Sequence, residues 1–313
     1  MMNIELYLGM RHNMIDFKEV ELADKLWMDP LYAIANLGGC HHDFTNVFAW
    51  SGIYNHLVAR VDDYIVVKVC NNDKVYYFYP AGHGDIQPVI EFMRQDAAEN
   101  NQEFYFLGLT SENVAVLDSL FPGKFEYEGN IDYYDYVYLL DKLISLSGKK
   151  LQSKRNHINR FKKTYNWSFE EITTVNLKEC WEMNVEWCII HDCNEDDMLY
   201  KEKCAVTRCF ENFTELELEG CLLRCDGKVV AYTMGEVLNS TTYVTHIEKA
   251  FTDIHGAYQM INHEFAVFIK EHHPDMHYVN REEDMGYDGL RRAKQSYYPD
   301  RMEEKYTARY RNK

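Results

Sequence analysis

Alternating apolar positions rich in β-branched and aromatic residues predict strands over 57–61, 64–69 and 75–79. Asp62-Asp63 and Asn71-Asn72-Asp73 supply the turns between them. Ahead of these strands, a helix is expected over 19–27, broken by Asp29-Pro30. A second covers 43–50, where Phe44, Val47 and Phe48 share a face. The period then changes, and Ile86, Val89, Ile90 and Met93 form one apolar stripe of a helix over 85–100. A strand over 104–109, a short helix opened by Ser111 as N-cap, and closing strands at 125–127 and 134–138 complete a first unit. It ends near Leu146-Ser147-Gly148.

A second unit repeats the plan. Residues 149–165 read as a helix, 167–173 as a strand, and 177–190 and 200–213 as helices. Three strands follow at 221–225, 229–237 and 242–249, with the hairpin dipeptide Asp226-Gly227 and then Asn239-Ser240 between them. A helix over 257–271, a strand over 278–281, a helix over 287–294 and a last strand over 303–310 finish the chain. A three-strand meander followed by β-α-β-α-β resembles the layout of the acyl-CoA N-acyltransferase (GNAT) fold. The expected fold class is therefore α+β. Two tandem GNAT-like domains, 1–147 and 148–313, each form a mixed, mostly antiparallel sheet flanked by helices. The main ligand site is expected in the second. The first is a looser copy, and Gly82-His83-Gly84-Asp85 before a helix hints at a vestigial site there.

Composition narrows the function classes. In 313 residues, 46% are hydrophobic and 27% charged, as in globular domains. Thirty-three Lys+Arg against fifty Asp+Glu leave a net charge of −17, which argues against a general nucleic-acid coat but leaves room for a local basic site. No run approaches the roughly 18–20 apolar residues of a membrane span. The start, Met1-Met2-Asn3-Ile4-Glu5-Leu6, lacks the features of a signal peptide, so a cytoplasmic protein is expected. Nine cysteines without a CxxC pair read as reduced, mostly buried thiols. His41-His42 and His272-His273 are adjacent pairs whose side chains diverge, no HExxH occurs, and no metal is expected. Nor is there a GxSxG, a P-loop or a dinucleotide fingerprint.

The candidate chemistry gathers in the second unit. The third meander strand runs into Ile254-His255-Gly256-Ala257-Tyr258 and a helix, whose first amides point toward one place and suit a pyrophosphate. An ordinary turn with one convenient glycine reads equally well. In the preceding strand His246 and Glu248 are expected on one face with Val244, as bases for an acceptor amine, and Lys249 on the other face. The alternative is that they hold each other and a neighbouring strand by hydrogen bonds. A final feature is a run from Lys149 to Lys163 with Lys149, Lys150, Lys154, Arg155, Arg160, Lys162 and Lys163 and no acid. Leu151, Ile158 and Phe161 anchor one side, leaving the bases for phosphate groups of CoA, a tRNA acceptor arm or an anionic headgroup, or for acids of the first domain.

Several separated stretches carry a family resemblance: Asp135-Tyr136-Val137-Tyr138, Gly148-Lys149-Lys150-Leu151, Lys154-Arg155-Asn156-His157-Ile158-Asn159, His246-Ile247-Glu248-Lys249-Ala250 and Gly256-Ala257-Tyr258-Gln259. Asn280-Arg281-Glu282, Gly289-Leu290-Arg291 and Ala293-Lys294 through Ser296-Tyr297 continue it. Together they resemble the cytosolic C-terminal domain of phosphatidylglycerol lysyltransferases, and more closely its short, stand-alone bacterial relatives. That resemblance implies a tandem GNAT-like architecture related to Fem-type aminoacyltransferases. Resemblance to GNAT enzymes also implies that Asn280 contacts a pantetheine arm and that Tyr297 or Tyr298 protonates the departing group. Lys249, Arg291 and Lys294 join the expected carrier-binding set. Two functions follow from this. One is an acyltransferase drawing on acyl-CoA, slightly favoured, or aminoacyl-tRNA, and serving an amine, hydroxyl or lipid-headgroup acceptor. The other is a non-catalytic binding or regulatory protein on a decayed transferase scaffold.

Overall fold

The computed structural model describes residues 15–71 and 74–311, so the chain's first residues and the turn residues Asn72 and Asp73 lie outside it. The first half contains β1 (Lys18–Glu19), α1 (Lys25–Ala35), α2 (Phe44–Tyr54), β2 (His56–Val61), β3 (Tyr64–Asn71), β4 (Lys74–Tyr77), β5 (Ala81–Gly82) and α3 (Ile86–Glu99). Then come β6 (Tyr105–Leu109), α4 (Ser111–Leu120), β7 (Phe125–Gly129), β8 (Asp135–Leu139) and α5 (Leu140–Ser145). The second half contains α6 (Gln152–Thr164), β9 (Trp167–Glu171), α7 (Leu177–Ile190), α8 (Asp197–Glu211), β10 (Glu219–Cys225), β11 (Lys228–Asn239) and β12 (Thr242–Ala250). It ends with α9 (Ala257–His272), β13 (Tyr278–Asn280), α10 (Asp288–Gln295), β14 (Arg301–Glu303) and β15 (Tyr306–Tyr310).

Two mixed sheets result, and they share a pattern. In the first, the meander β2-β3-β4 meets β6 in parallel; in the second, β10-β11-β12 meets β13 in parallel. This is the tandem GNAT-like arrangement that the element order predicts. The sheets nevertheless exchange strands. β8, read as closing the first unit, lies in the second sheet between β13 and β14, and β15 at the chain's end lies in the first between β6 and β7. A cut at 147/148 therefore does not separate the two sheets. The expected single strand over 303–310 is split, because β14 pairs with β8 and β15 with β6 and β7, and Glu304-Lys305 crosses between them. One apolar core runs through both halves, from Met28 and Phe44 through Tyr138 and Phe161 to Tyr232 and Phe265.

Asp29-Pro30 does not end the first helix. α1 runs through Pro30, burying Met28, Leu31 and Tyr32 on one face. That burial, at about 1.5–3 kcal/mol per large side chain, outweighs the roughly 3 kcal/mol that an internal proline costs. A second departure matters more for function. β12 carries a bulge opposite Met234 and Gly235, which pair with Ile247 and Thr245 and leave His246 as the extra residue. One inserted residue shifts the alternation of every side chain beyond it.

Candidate functional site

β12 and β13 pair over only three positions, ending at Val244 and Asn280. Beyond that point lie His246 and Glu248 on one side and Arg281 and Glu282 on the other. The bulge sends the two β12 residues to opposite faces, so the expected shared face of His246 and Glu248 does not form. Glu248 turns to α9, where Asn262 Nδ2 donates to Oε2 at 3.0 Å. His246 lines a cavity of about 30 Å³ with Glu202 and Cys209 of α8 and with Thr45, Asn46 and Glu282. Lys249 follows His246 to the α7–α8 side rather than lying opposite it. It is 3% exposed, pairs with Glu202 at 3.1 Å and sits 3.7 Å from the Trp187 ring centroid, so it is committed to packing.

On the Glu248 face, Arg281 is the central group. Its Nη2 donates to Glu248 Oε1 at 2.7 Å, and its guanidinium lies over the rings of Tyr138 and Tyr297 at 5.6 and 5.3 Å. Its Nη1 is buried without a hydrogen-bond partner, as is Asn262 Oδ1. Lys154 of α6 reaches the same place, 4.2 Å from the Tyr297 centroid and 2.6 Å from Ser296 Oγ. Burial raises the Tyr297 hydroxyl above the ordinary tyrosine value although Arg281 opposes this, so the phenol stays protonated at neutral pH. Burial also lowers the Lys154 ammonium, helped by Arg281. Tyr298, by contrast, is 40% exposed and stands beside Lys150 at 5.1 Å.

Other expected ligand residues hold the framework. Asn280 is fully buried: its amide donates to Asp135 at 3.0 Å and to the Gly38 carbonyl, and its Oδ1 accepts from Glu282 N at 2.8 Å. That leaves it committed inside the strand junction rather than facing a pantetheine arm. Lys294 donates to the carbonyls of Arg281, Glu282 and Glu283 and so pins the loop after β13. Arg291 is clamped by both oxygens of Asp284 and by Asp132.

The turn before α9 keeps its predicted character. Gly256 has φ +90° and stands at the N-cap, and a Cβ there would come within 2.9 Å of the His157 carbonyl. A cavity of about 200 Å³ opens here, lined by Ile254, His255, Gly256, Ala257, Tyr258, Gln259 and His157 among others; Glu248 is not in its wall. Two of the turn's amides are occupied, His255 N by the Tyr165 hydroxyl at 3.2 Å and Ala257 N by the Ile254 carbonyl at 3.1 Å. His157 Nδ1 and His255 Nε2 meet at 3.1 Å.

The basic run divides in two. Lys154 faces inward, Arg155 bonds the carbonyls of Leu146 and Gly148, and Lys162 pairs with Glu264 at 2.8 Å. Lys149, Lys150, Arg160 and Lys163 are exposed.

Two buried charge clusters join the loop before α2 to the second sheet. In one, the Lys305 ammonium lies 2.5 Å from Asp135, 3.1 Å from Glu283 and 3.1 Å from Cys40 Sγ. Despite burial, this ammonium holds the Glu283 carboxyl down at about 2. In the other, His246 stands among Glu236, Glu282 and Asp43. Burial alone would lower its pKa, but the three carboxylates outweigh burial and raise it well above the usual histidine value. Sequence reasoning missed Glu236 and the roles of Asp43 and Arg281. Asn280-Arg281-Glu282 is one of the stretches that carry the family resemblance, but nothing local announces that Arg281 fills the parting strands.

Among the described residues no helix is long and apolar enough to cross a membrane. The family model described as phosphatidylglycerol lysyltransferase, C-terminal, matches residues 32–309. An uncharacterized protein of Mycoplasmoides gallisepticum is 25% identical over 66% of this chain, and the match spans 65% of that protein's length. A crystal structure of a conserved protein of unknown function from Bacteroides thetaiotaomicron is 38% identical over 95% of this chain and 100% of its own, with a TM-score of 0.90. The L-PGS of Bacillus licheniformis shares the fold at 13% identity, covering 96% of this chain and 95% of its own, with a TM-score of 0.70. The chain belongs to the phosphatidylglycerol lysyltransferase C-terminal family, and its fold is the tandem GNAT-like one.

Proposed function

We propose that the protein moves an aminoacyl or acyl group from a phosphorylated carrier to an amine or hydroxyl acceptor. Arg281 carries this reading: it lies where β12 and β13 part, is oriented by Glu248, and keeps a buried Nη1 donor without a protein acceptor. Such a donor suits the carbonyl oxygen of an ester or thioester, which gains negative charge as the acceptor attacks. The acceptor nitrogen or oxygen bonds to the carbonyl carbon, and the bond from that carbon to the carrier's oxygen or sulfur breaks. Tyr297, protonated and beside Arg281, gives its proton to the leaving atom, while the acceptor's proton passes to Glu248 or through water to solvent. His246, on the other face, takes no part.

Two carriers fit different observations. Family membership favours an aminoacyl-tRNA, with exposed Lys149, Lys150, Arg160 and Lys163 meeting its phosphates. The cavity of about 200 Å³ at the Gly256 turn favours the pyrophosphate of acyl-CoA, although Asn280 is committed elsewhere. Labelled aminoacyl-tRNA and labelled acetyl-CoA, each offered with an amine mixture and with phosphatidylglycerol vesicles, separate the two. Label should move from one carrier and not the other, and Arg281→Met should lower the transfer by about 10²–10³-fold. If neither carrier yields transfer or protects the chain from thermal unfolding, the reading fails. A binding protein on a transferase scaffold would then remain.

A further inference from the structure

Where α2 meets the second sheet, three carboxylates converge on one imidazole. His246 Nε2 lies 3.1 Å from Glu236 Oε1 and 4.0 Å from Asp43 Oδ1, and its Nδ1 lies 2.9 Å from Glu282 Oε1. One donor atom each from Asp43, Glu236 and His246 all fall within 4.8 Å of one another. Among the described residues no lysine or arginine forms an ion pair with Asp43, Glu236 or Glu282, so a single imidazole serves one buried and two partly buried carboxylates. Buried carboxylates are stable when they are paired or hold a metal. The Lys305 cluster shows the difference: Cys40, Asp135 and Glu283 form a group of similar span, but there an ammonium already fills the centre.

Further observations point the same way. Asp43 is 5% exposed; its Oδ1 caps α2 by accepting from Asn46 N at 2.6 Å, and its Oδ2 has no hydrogen-bond partner. Thr45 Oγ1, 1% exposed as a residue, is also unpartnered and borders the cavity beside His246. At about 30 Å³ that cavity has room for one or two waters.

We propose that Asp43, Glu236 and His246 Nε2 bind a divalent transition-metal cation. Glu282 on Nδ1 fixes the imidazole, and a water in the cavity completes the shell. One imidazole with carboxylates suits Zn²⁺ or Mn²⁺, whereas Mg²⁺ and Ca²⁺ favour oxygen donors alone. Donor atoms around a tetrahedral Zn²⁺ stand roughly 3.3–3.6 Å apart, given bonds of about 2.0–2.2 Å. The two separations at Nε2 bracket that spacing. A carboxylate on the far nitrogen of a ligating histidine sets its tautomer and orientation. Because Asp43 precedes α2 while Glu236 and His246 belong to β11 and β12, the ion would tie the two halves together.

The test uses the full chain, stripped with a chelator and titrated with Zn²⁺ and, separately, Mn²⁺. Metal content after gel filtration and the melting temperature are the readouts. Wild type should retain one equivalent of one of these ions and melt at a higher temperature with it. Glu236→Gln and Asp43→Asn should weaken binding at least about tenfold, and Glu282→Gln by about 10–100-fold. His157→Ala, which removes the His157–His255 pair near the surface, should leave one equivalent. Circular dichroism of the metal-free Glu236→Gln protein checks that it folds, and His246→Ala provides the second variant. Retention below about a tenth of an equivalent by wild type, or retention indifferent to both Glu236→Gln and His246→Ala, overturns the proposal.

Discussion

Glu282 and Glu283 are neighbours in the chain, yet they serve opposite kinds of cluster. Glu283 turns to Lys305, which also holds Asp135 and Cys40, and every charge there has a partner of the other sign. Glu282 turns to His246, which three carboxylates share rather than two, and a water-sized cavity opens beside it. Lys294, bonded to the carbonyls of Arg281, Glu282 and Glu283, holds the loop so that alternate side chains go to different places. The closed cluster stabilises the exchange of strands between sheets, since Asp135 begins β8 and Lys305 lies between β14 and β15. The open one, like the unpartnered Arg281 Nη1 beside it, leaves bonding capacity unused. Unused capacity in a buried place costs stability, and it marks where a ligand belongs.

The largest effect should come from opening the closed cluster. Lys305→Met strands the Asp135 and Glu283 carboxylates without their ammonium, and urea unfolding should show a loss of about 3–5 kcal/mol. A loss below about 1 kcal/mol would mean that the two clusters do not differ as described. On the open side, Arg281→Met should lower the transfer rate by about 10²–10³, the scale of a lost donor to a developing oxyanion. Arg281→Lys should recover little, because a single ammonium cannot both hold Glu248 and present the second donor. A rate unchanged in Arg281→Met would remove Arg281 from the chemistry.

Acid should separate the histidines next. Burial pushes His42 down to about 3 and His56 down to about 4, so both are neutral in the folded chain. Their contribution is present above the unfolded value of about 6.5 and is lost as pH falls through that value toward 4 and then 3. Glu283 adds a loss at lower pH, between its ordinary value and about 2. In the metal-free chain His246 runs the other way: its raised pKa makes its contribution full below about 6.5, and that contribution fades as pH rises through the raised value. A stability profile flat between pH 7 and 4 would contradict these burials. The smallest effect is expected at the surface. Arg160→Glu with Lys163→Glu should change stability by no more than about 0.5 kcal/mol while weakening retention of whichever carrier binds. Equal retention would assign those bases to solubility alone.

Much of this molecule was legible beforehand. The meander and the helix after Gly256 follow from periods of two and of three to four residues, which are local properties. The anchoring of α6 by Ile158 and Phe161 was visible for the same reason. The shared face assigned to His246 and Glu248 failed because a bulge adds one residue where nothing in the strand's own pattern marks it. The Asn280 assignment met a different obstacle: the residue sits at the strand end where a ligand contact was expected, but Asp135, 145 positions away in the chain, takes its amide.

The amino-acid order by itself determined the element types, the two-unit plan and the family, because propensity, periodicity and separated motifs are written along the chain. Tertiary structure alone decided that β8 and β15 change sheets, that Lys305 closes one carboxylate cluster while His246 stands in another, and that Arg281 keeps a free donor between the parting strands. Those outcomes depend on which distant groups share one low-dielectric interior. There the energy of a charge is set by its neighbours in space rather than by its neighbours in sequence.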